Sequence, residues 1–171
     1  MSIDTADLIQ RGDTLDPAAW HALSRGLYDA WRNMWPEGMA KGLLPSRDHF
    51  DPIAVRQLLP HITLFEVQRE PPPMRFRLRL VGTMITRHLH ADPTGRWLDE
   101  LGADPQSFEG LTWVAENRGP SWRRGPKRVG PGRDYGSAET LVVPLAADGV
   151  TVDRMLVLSV VYDPEGRAVL R

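Results

Sequence analysis

The chain has 171 residues, with 21 basic against 22 acidic side chains, no cysteine, and ordinary hydrophobic (42%) and charged (25%) fractions, which fits one globular domain with a small appendage. The missing cysteine excludes a disulfide frame, a thiolate nucleophile, a cysteine zinc site, an iron-sulfur cluster and a thioether-linked chromophore. A charge of -1 supplies no field to steer the chain onto nucleic acid or an anionic membrane, no apolar run approaches the roughly 18 residues that span a bilayer, and no basic-then-apolar leader opens the chain, so a cytoplasmic location is expected.

Residues 1–15 carry no clear period and read as a leader without fixed structure. Asp16-Pro17 is an N-cap followed by proline at the first helical position, and Trp20, Leu23, Leu27, Trp31 and Met34 then recur at helical steps. This predicts an amphipathic helix over 16–38 whose aromatic stripe must be buried. Asp51-Pro52 repeats the cap, and Val55, Leu58, Leu59 and Ile62 space a short helix that Pro60 ends. A β-rich run from Ile62 to Gln68 and a second from Met74 to Val81 flank the prolines at 71–73 as a stiff hairpin. In the second run Phe76, Leu78 and Leu80 alternate with Arg75, Arg77 and Arg79, giving one apolar and one basic face.

Gly82-Thr83 opens a short helix in which Ile85 and Leu89 share a face, and Asp92-Pro93-Thr94-Gly95 turns the chain. Asp104-Pro105 starts another helix, with Phe108, Leu111 and Ala115 on one side, closed by Gly119-Pro120. Three strands follow: Ser121 to Val129, Ala138 to Leu145 and Met155 to Tyr162, the last two joined at Asp148-Gly149. The order predicts an α+β domain with an antiparallel sheet of about five strands and short helices on one face. The last strand is apolar on both sides, so the other face needs a cover too. That cover is the N-terminal helix of the same chain or of a second subunit, and the sequence leaves both open.

Two strands, short helices and three strands are the order of a PAS domain, a small sensor fold, and local sequence words agree. Leu44-Pro45-Ser46-Arg47, Leu59-Pro60-His61-Ile62, residues 75–83 (RFRLRLVGT), Asp92-Pro93-Thr94-Gly95-Arg96 and residues 142–149 (VVPLAADG) occur in sequence. In these the chain resembles an alphaproteobacterial family of single-domain proteins, long catalogued as a domain of unknown function and later placed in the PAS group. The resemblance covers about 44–160 and implies a PAS-like domain over 44–165 with a sensory or interaction role; it carries no catalytic residues.

Chemistry-bearing patterns are sparse. The PAS subtypes with a flavin adduct or a thioester chromophore need a reactive cysteine, and haem would want a histidine on the helix at 105–118, which has none. His88 and His90 are two apart, pointing about 200 degrees from each other on a helix; only an extended segment brings His88, His90 and Asp92 together. No metal, cofactor or catalytic residue is expected, and no hydrolase signature occurs. The glycines at 125, 130, 132 and 136 lack the ending of a phosphate loop and read as a strand connection.

The resulting expectation is a non-catalytic sensory module. Its candidate cavity wall is Phe76, Leu78, Leu80, Ile85, His88, Leu89, Phe108 and Leu111, around a small, mainly apolar ligand, with an unidentified regulatory protein as partner. A second expectation is a ligand-free scaffold or adaptor that forms a homodimer through Trp20, Leu27, Trp31 and Trp35 of the N-terminal helix. A third is an anion- or nucleotide-responsive regulator using Arg123, Arg124 and Arg128 of the basic segment 118–133. Neither membrane nor nucleic acid is an expected partner.

Overall fold

A computed structural model describes residues 7–128, 130 and 136–171. Its centre is an antiparallel sheet of strands β1 (Leu8–Arg11), β2 (Ile62–Gln68), β3 (Arg75–Val81), β4 (Ser121–Pro126), β5 (Ser137–Leu145) and β6 (Arg154–Tyr162), in the spatial order β1-β4-β5-β6-β2-β3. A short β7 (Ala168–Val169) pairs with the end of β6. The helices are α1 (Ala22–Arg32), α2 (Thr83–Leu89) and α3 (Ser107–Asn117). The five strands read from sequence are present, and β1 and β7 extend the sheet. Within the expected leader, Leu8 to Arg11 are therefore an edge strand on β4; residues 1–6 lie outside the described residues.

Register assigns each side chain to a face, because residues opposite one another across strands share it. Trp122, Leu141, Leu158 and their alternates point to α1, whereas Arg123, Thr140, Ser159 and theirs point to α2 and α3. On β2 and β3 a bulge between Leu64 and Phe65 pairs Phe65 with Leu78 but Leu64 with Leu80, leaving Arg79 as the extra residue. The phase of β3 flips there. Phe76 and Leu78 are buried, while Leu80 stands 44% exposed on the opposite face.

The N-terminal helix is shorter than its sequence pattern. Asp16 caps only a 3-10 turn at Pro17–Ala19 by accepting from the Ala18 N–H, and His21 then caps α1 through Nδ1. Trp20, Leu27 and Trp31 are buried against their own sheet, Trp20 stacked on Trp122 with ring centroids 5.9 Å apart. The Trp31 indole donates to the Pro144 carbonyl at 2.9 Å and that of the half-buried Trp35 to the Leu43 carbonyl at 2.8 Å. Trp20, Leu27 and Trp31 of the expected interface set are thus packed within one chain, and Trp35 keeps part of its surface exposed.

Below α1 the buried Glu139 carboxylate accepts from the His21 N–H, the Ser24 hydroxyl at 2.6 Å and the Tyr162 hydroxyl at 3.2 Å. Burial, with Glu139 alongside, pushes the Tyr162 phenol up to about 12. The helix expected after Asp51 is a series of i to i+3 turns ending in the 3-10 turn Leu59–His61. Pro52 and Pro60 bracket too few residues to repay helix nucleation.

Two of the sequence words do structural work. Leu44 N–H donates to the Gly149 carbonyl and Ala146 N–H to the Pro45 carbonyl, so residues 44–45 are bolted to the β5–β6 turn, and Arg118 adds bonds to the Gly42 and Gly149 carbonyls. Gly82, which precedes α2, lies so close to the Leu59 and Pro60 carbonyls that any Cβ there would overlap them. That glycine sets how α2 is hung over the sheet.

Candidate ligand cavity

Between the inner face of the sheet and the helices α2 and α3 lies a cavity of about 190 Å³. An apolar cavity of about 150 Å³ holds benzene, so this one takes a single ring and a few further atoms. Its wall changes character across the sheet. On the β2–β3 side Phe65, Leu78, Leu98, Leu111 and Val157 are apolar. On the β4–β1 side Arg11, Arg123, Lys127 and Arg128 bring positive charge. Thr140 and Ser159, paired across β5 and β6, lie between.

The cationic end is held by local structure. Arg11 donates Nε to the Ser121 hydroxyl and an outer nitrogen to Glu109 at 3.0 Å, and stacks its guanidinium on Trp113. Arg123 meets one oxygen of Asp7 at 2.5 Å, and Arg128 meets the other. Arg128 also donates to the Gln106 carbonyl, tying the β4 end to the start of α3. Asp7 reaches in over Gly125, where a side chain would occupy the place of its carboxylate oxygen.

Crowding shows in the titration of the cluster. Burial, and then Arg128, pull Arg123 below the ordinary guanidinium range; burial pulls down Lys127. Burial, then Lys127 and His90, hold the His88 imidazole below its ordinary 6.5. Four buried side-chain nitrogens lack a hydrogen-bond partner among the described residues: His88 Nε2, Arg118 Nε, Trp122 Nε1 and Arg123 Nε. Two of them, on His88 and Arg123, belong to the cavity wall. Each such orphan costs about 1–3 kcal/mol.

Of the cavity residues read from sequence, Leu78, Ile85, His88, Leu89 and Leu111 line it. Phe76, opposite Val67, is packed as solid core, and Leu80 is turned away by the bulge. Phe108 packs against the core, but the wall contributed by α3 is Ser107, Glu109, Gly110 and Leu111, and Phe108 is not part of it. The anion trio is divided. Arg123 and Arg128 share Asp7, whereas Arg124 sits on the other face with its guanidinium 4.2 Å from the Tyr162 ring centroid. Strand alternation separates adjacent residues in this way. Arg133 and Gly132 of the basic segment lie outside the described residues.

The sequence reading missed Ile9, Arg11, Phe65, Gly110, Val142 and Val157. A four-residue strand is too short to show a period. Strands apolar on both sides do not reveal their inner face, although Ser159, the one serine in the run from Met155 to Tyr162, marks it.

Among the described residues no three His, Cys, Asp or Glu side chains stand close enough to hold a metal ion. His90 ends α2 in the left-handed region at φ 56°, and Asp92 accepts from its own turn at Thr94, so neither joins His88. Without cysteine in the chain there is no thiol to form a flavin adduct.

No family model matches the chain, and no curated protein matches it. Among solved structures, an RNA-binding light-oxygen-voltage receptor is similar, with a TM-score of 0.50 and 14% identity over 91% of this chain. This chain spans 38% of that protein's length. At such identity the likeness concerns the fold alone, and the fold is of the α+β PAS type.

Proposed function

We propose that this chain is a non-catalytic PAS-type sensory or regulatory module, related to the alphaproteobacterial family its sequence words resemble, that holds a small, mainly apolar molecule in the cavity and signals by altering a protein contact. The observation that carries this reading is the cavity itself, a one-ring space with an apolar wall under α2 and α3. Protein interiors are otherwise close-packed, and an opening of this size costs stability. Among the described residues, Ser107, Ser121 and His88 of the wall do not form a nucleophile–base pair. Ser107 donates its hydroxyl to the Asp104 carbonyl, Ser121 accepts from Arg11, and His88 Nε2 touches neither. A largely apolar cavity with a few polar groups suits binding of a small molecule.

Native mass spectrometry of the full purified chain tests this reading. The expected spectrum contains an added small mass that leaves on denaturation. A bare chain in every preparation, with no thermal shift across a metabolite panel, would overturn it.

A further inference from the structure

Asp7 pairs with two arginines of the cavity's cationic end in the manner of a bound acid. Its two oxygens take Arg123 and Arg128, one each, and Gly125 leaves the space in which it sits. The fit is incomplete. Arg123 spends its outer nitrogen on Asp7 and the Pro126 carbonyl while its Nε stays buried and unpartnered, so only part of a fork suited to two parallel bonds is used. His88 Nε2 is a further unused group in the same wall. Gly110 adds a third observation. It sits mid-helix in α3 on the cavity side, where a Cβ would meet nothing within 4 Å. Alanine there would favour the helix by about 0.5–1 kcal/mol, so the chain carries a less stable residue where it leaves open space.

We infer that the cavity's ligand is a small carboxylic acid on a single-ring apolar body, whose carboxylate replaces Asp7 on Arg123 and Arg128 and thereby frees strand β1. The inference rests on the ligand-binding reading above and adds the ligand's charge and its output. The ring lies against Phe65, Leu78 and Leu111. The acid completes the Arg123 fork through Nε, which Asp7 does not reach. Asp7 directly precedes Leu8–Arg11, so displacing it unties the edge strand from β4 and turns occupancy into a change at the N-terminal edge of the sheet.

The test is calorimetric titration of the full chain with benzoate and with benzamide, a neutral molecule of the same shape. Benzoate is expected to bind at least tenfold more tightly. D7N, which removes the competing carboxylate, should tighten benzoate several-fold and leave benzamide unchanged; R128Q should weaken benzoate alone. Hydrogen exchange at Leu8 to Arg11 should quicken when benzoate binds and stay constant with benzamide. Equal affinity for the two molecules, or benzoate affinity unchanged in D7N, would overturn the inference and leave the cavity reading intact. Absence of binding of either molecule to D7N would overturn it as well, and the mass spectrum then decides the cavity reading separately.

Discussion

The two faces of the sheet are packed on different terms. On the outer face α1 lies on β5 and β6 with Leu27, Leu141, Leu158 and Val160 fully buried, and the buried carboxylate of Glu139 has three donors. On the inner face the helices are short, a cavity remains, and His88 and Arg123 each leave a buried nitrogen without a partner. The outer face is not free of defects, since the Trp122 indole nitrogen is also unpartnered among the described residues, but Trp122 is stacked on Trp20 and does not line the cavity. The contrast separates a face that is closely packed from one that keeps an open cavity.

Breaking the outer face should cost most. Trp31→Ala removes a buried indole and its bond to Pro144, and a loss of about 3–5 kcal/mol is expected in denaturant unfolding; a cost under 1 kcal/mol would mean that α1 is not seated as described. Glu139→Ala strands the Ser24 and Tyr162 hydroxyls and the His21 N–H, and should cost about 3 kcal/mol, with Glu139→Gln recovering part of it. On the inner face the sign reverses. Gly110→Ala should raise stability by about 0.5–1 kcal/mol, which thermal melts can resolve, and a drop would mean the space beside α3 is already filled.

The smallest effect is in pH. Burial holds both His61 and His88 below their ordinary 6.5, so at mildly acid pH the unfolded chain takes up more protons than the folded one. The resulting stability is complete above about pH 6.5 and is lost as pH falls towards the folded values. Melting temperature should therefore decline below that pH, and a His61→Gln, His88→Gln double variant should flatten the decline. An identical decline in that variant would assign it to other groups.

Much of this was legible in the sequence where a period was long or a cap explicit. The β2–β3 hairpin, the last three strands and the helix before β4 all follow from alternation and from Asp-Pro, Gly-Pro and Asp-Gly punctuation. Part of the cavity was legible for the same reason: Ile85 and Leu89 share a helix face, and Leu111 follows from the spacing of α3. What failed depended on partners distant in sequence. The bulge that turns Leu80 outward arises from how β2 and β3 register, not from the alternation of RFRLRLV. Arg123 and Arg124 look equivalent in a basic run, yet strand geometry sends one into the cavity and the other over Tyr162. Asp7 and Arg11 belong to a segment with no readable period, and only pairing with β4 gives them a place.

The difference between the faces can be measured without assuming the ligand's charge. Methyl-resolved NMR of the full chain in benzene-saturated buffer should shift Leu78, Leu111 and Val157 on the inner face while Leu27, Leu158 and Val160 under α1 stay fixed. Gly110→Leu, which fills the space from α3, should abolish the shifts and keep the fold. Shifts on the outer face, or none on the inner one, would contradict the claim that the chain keeps an open cavity there.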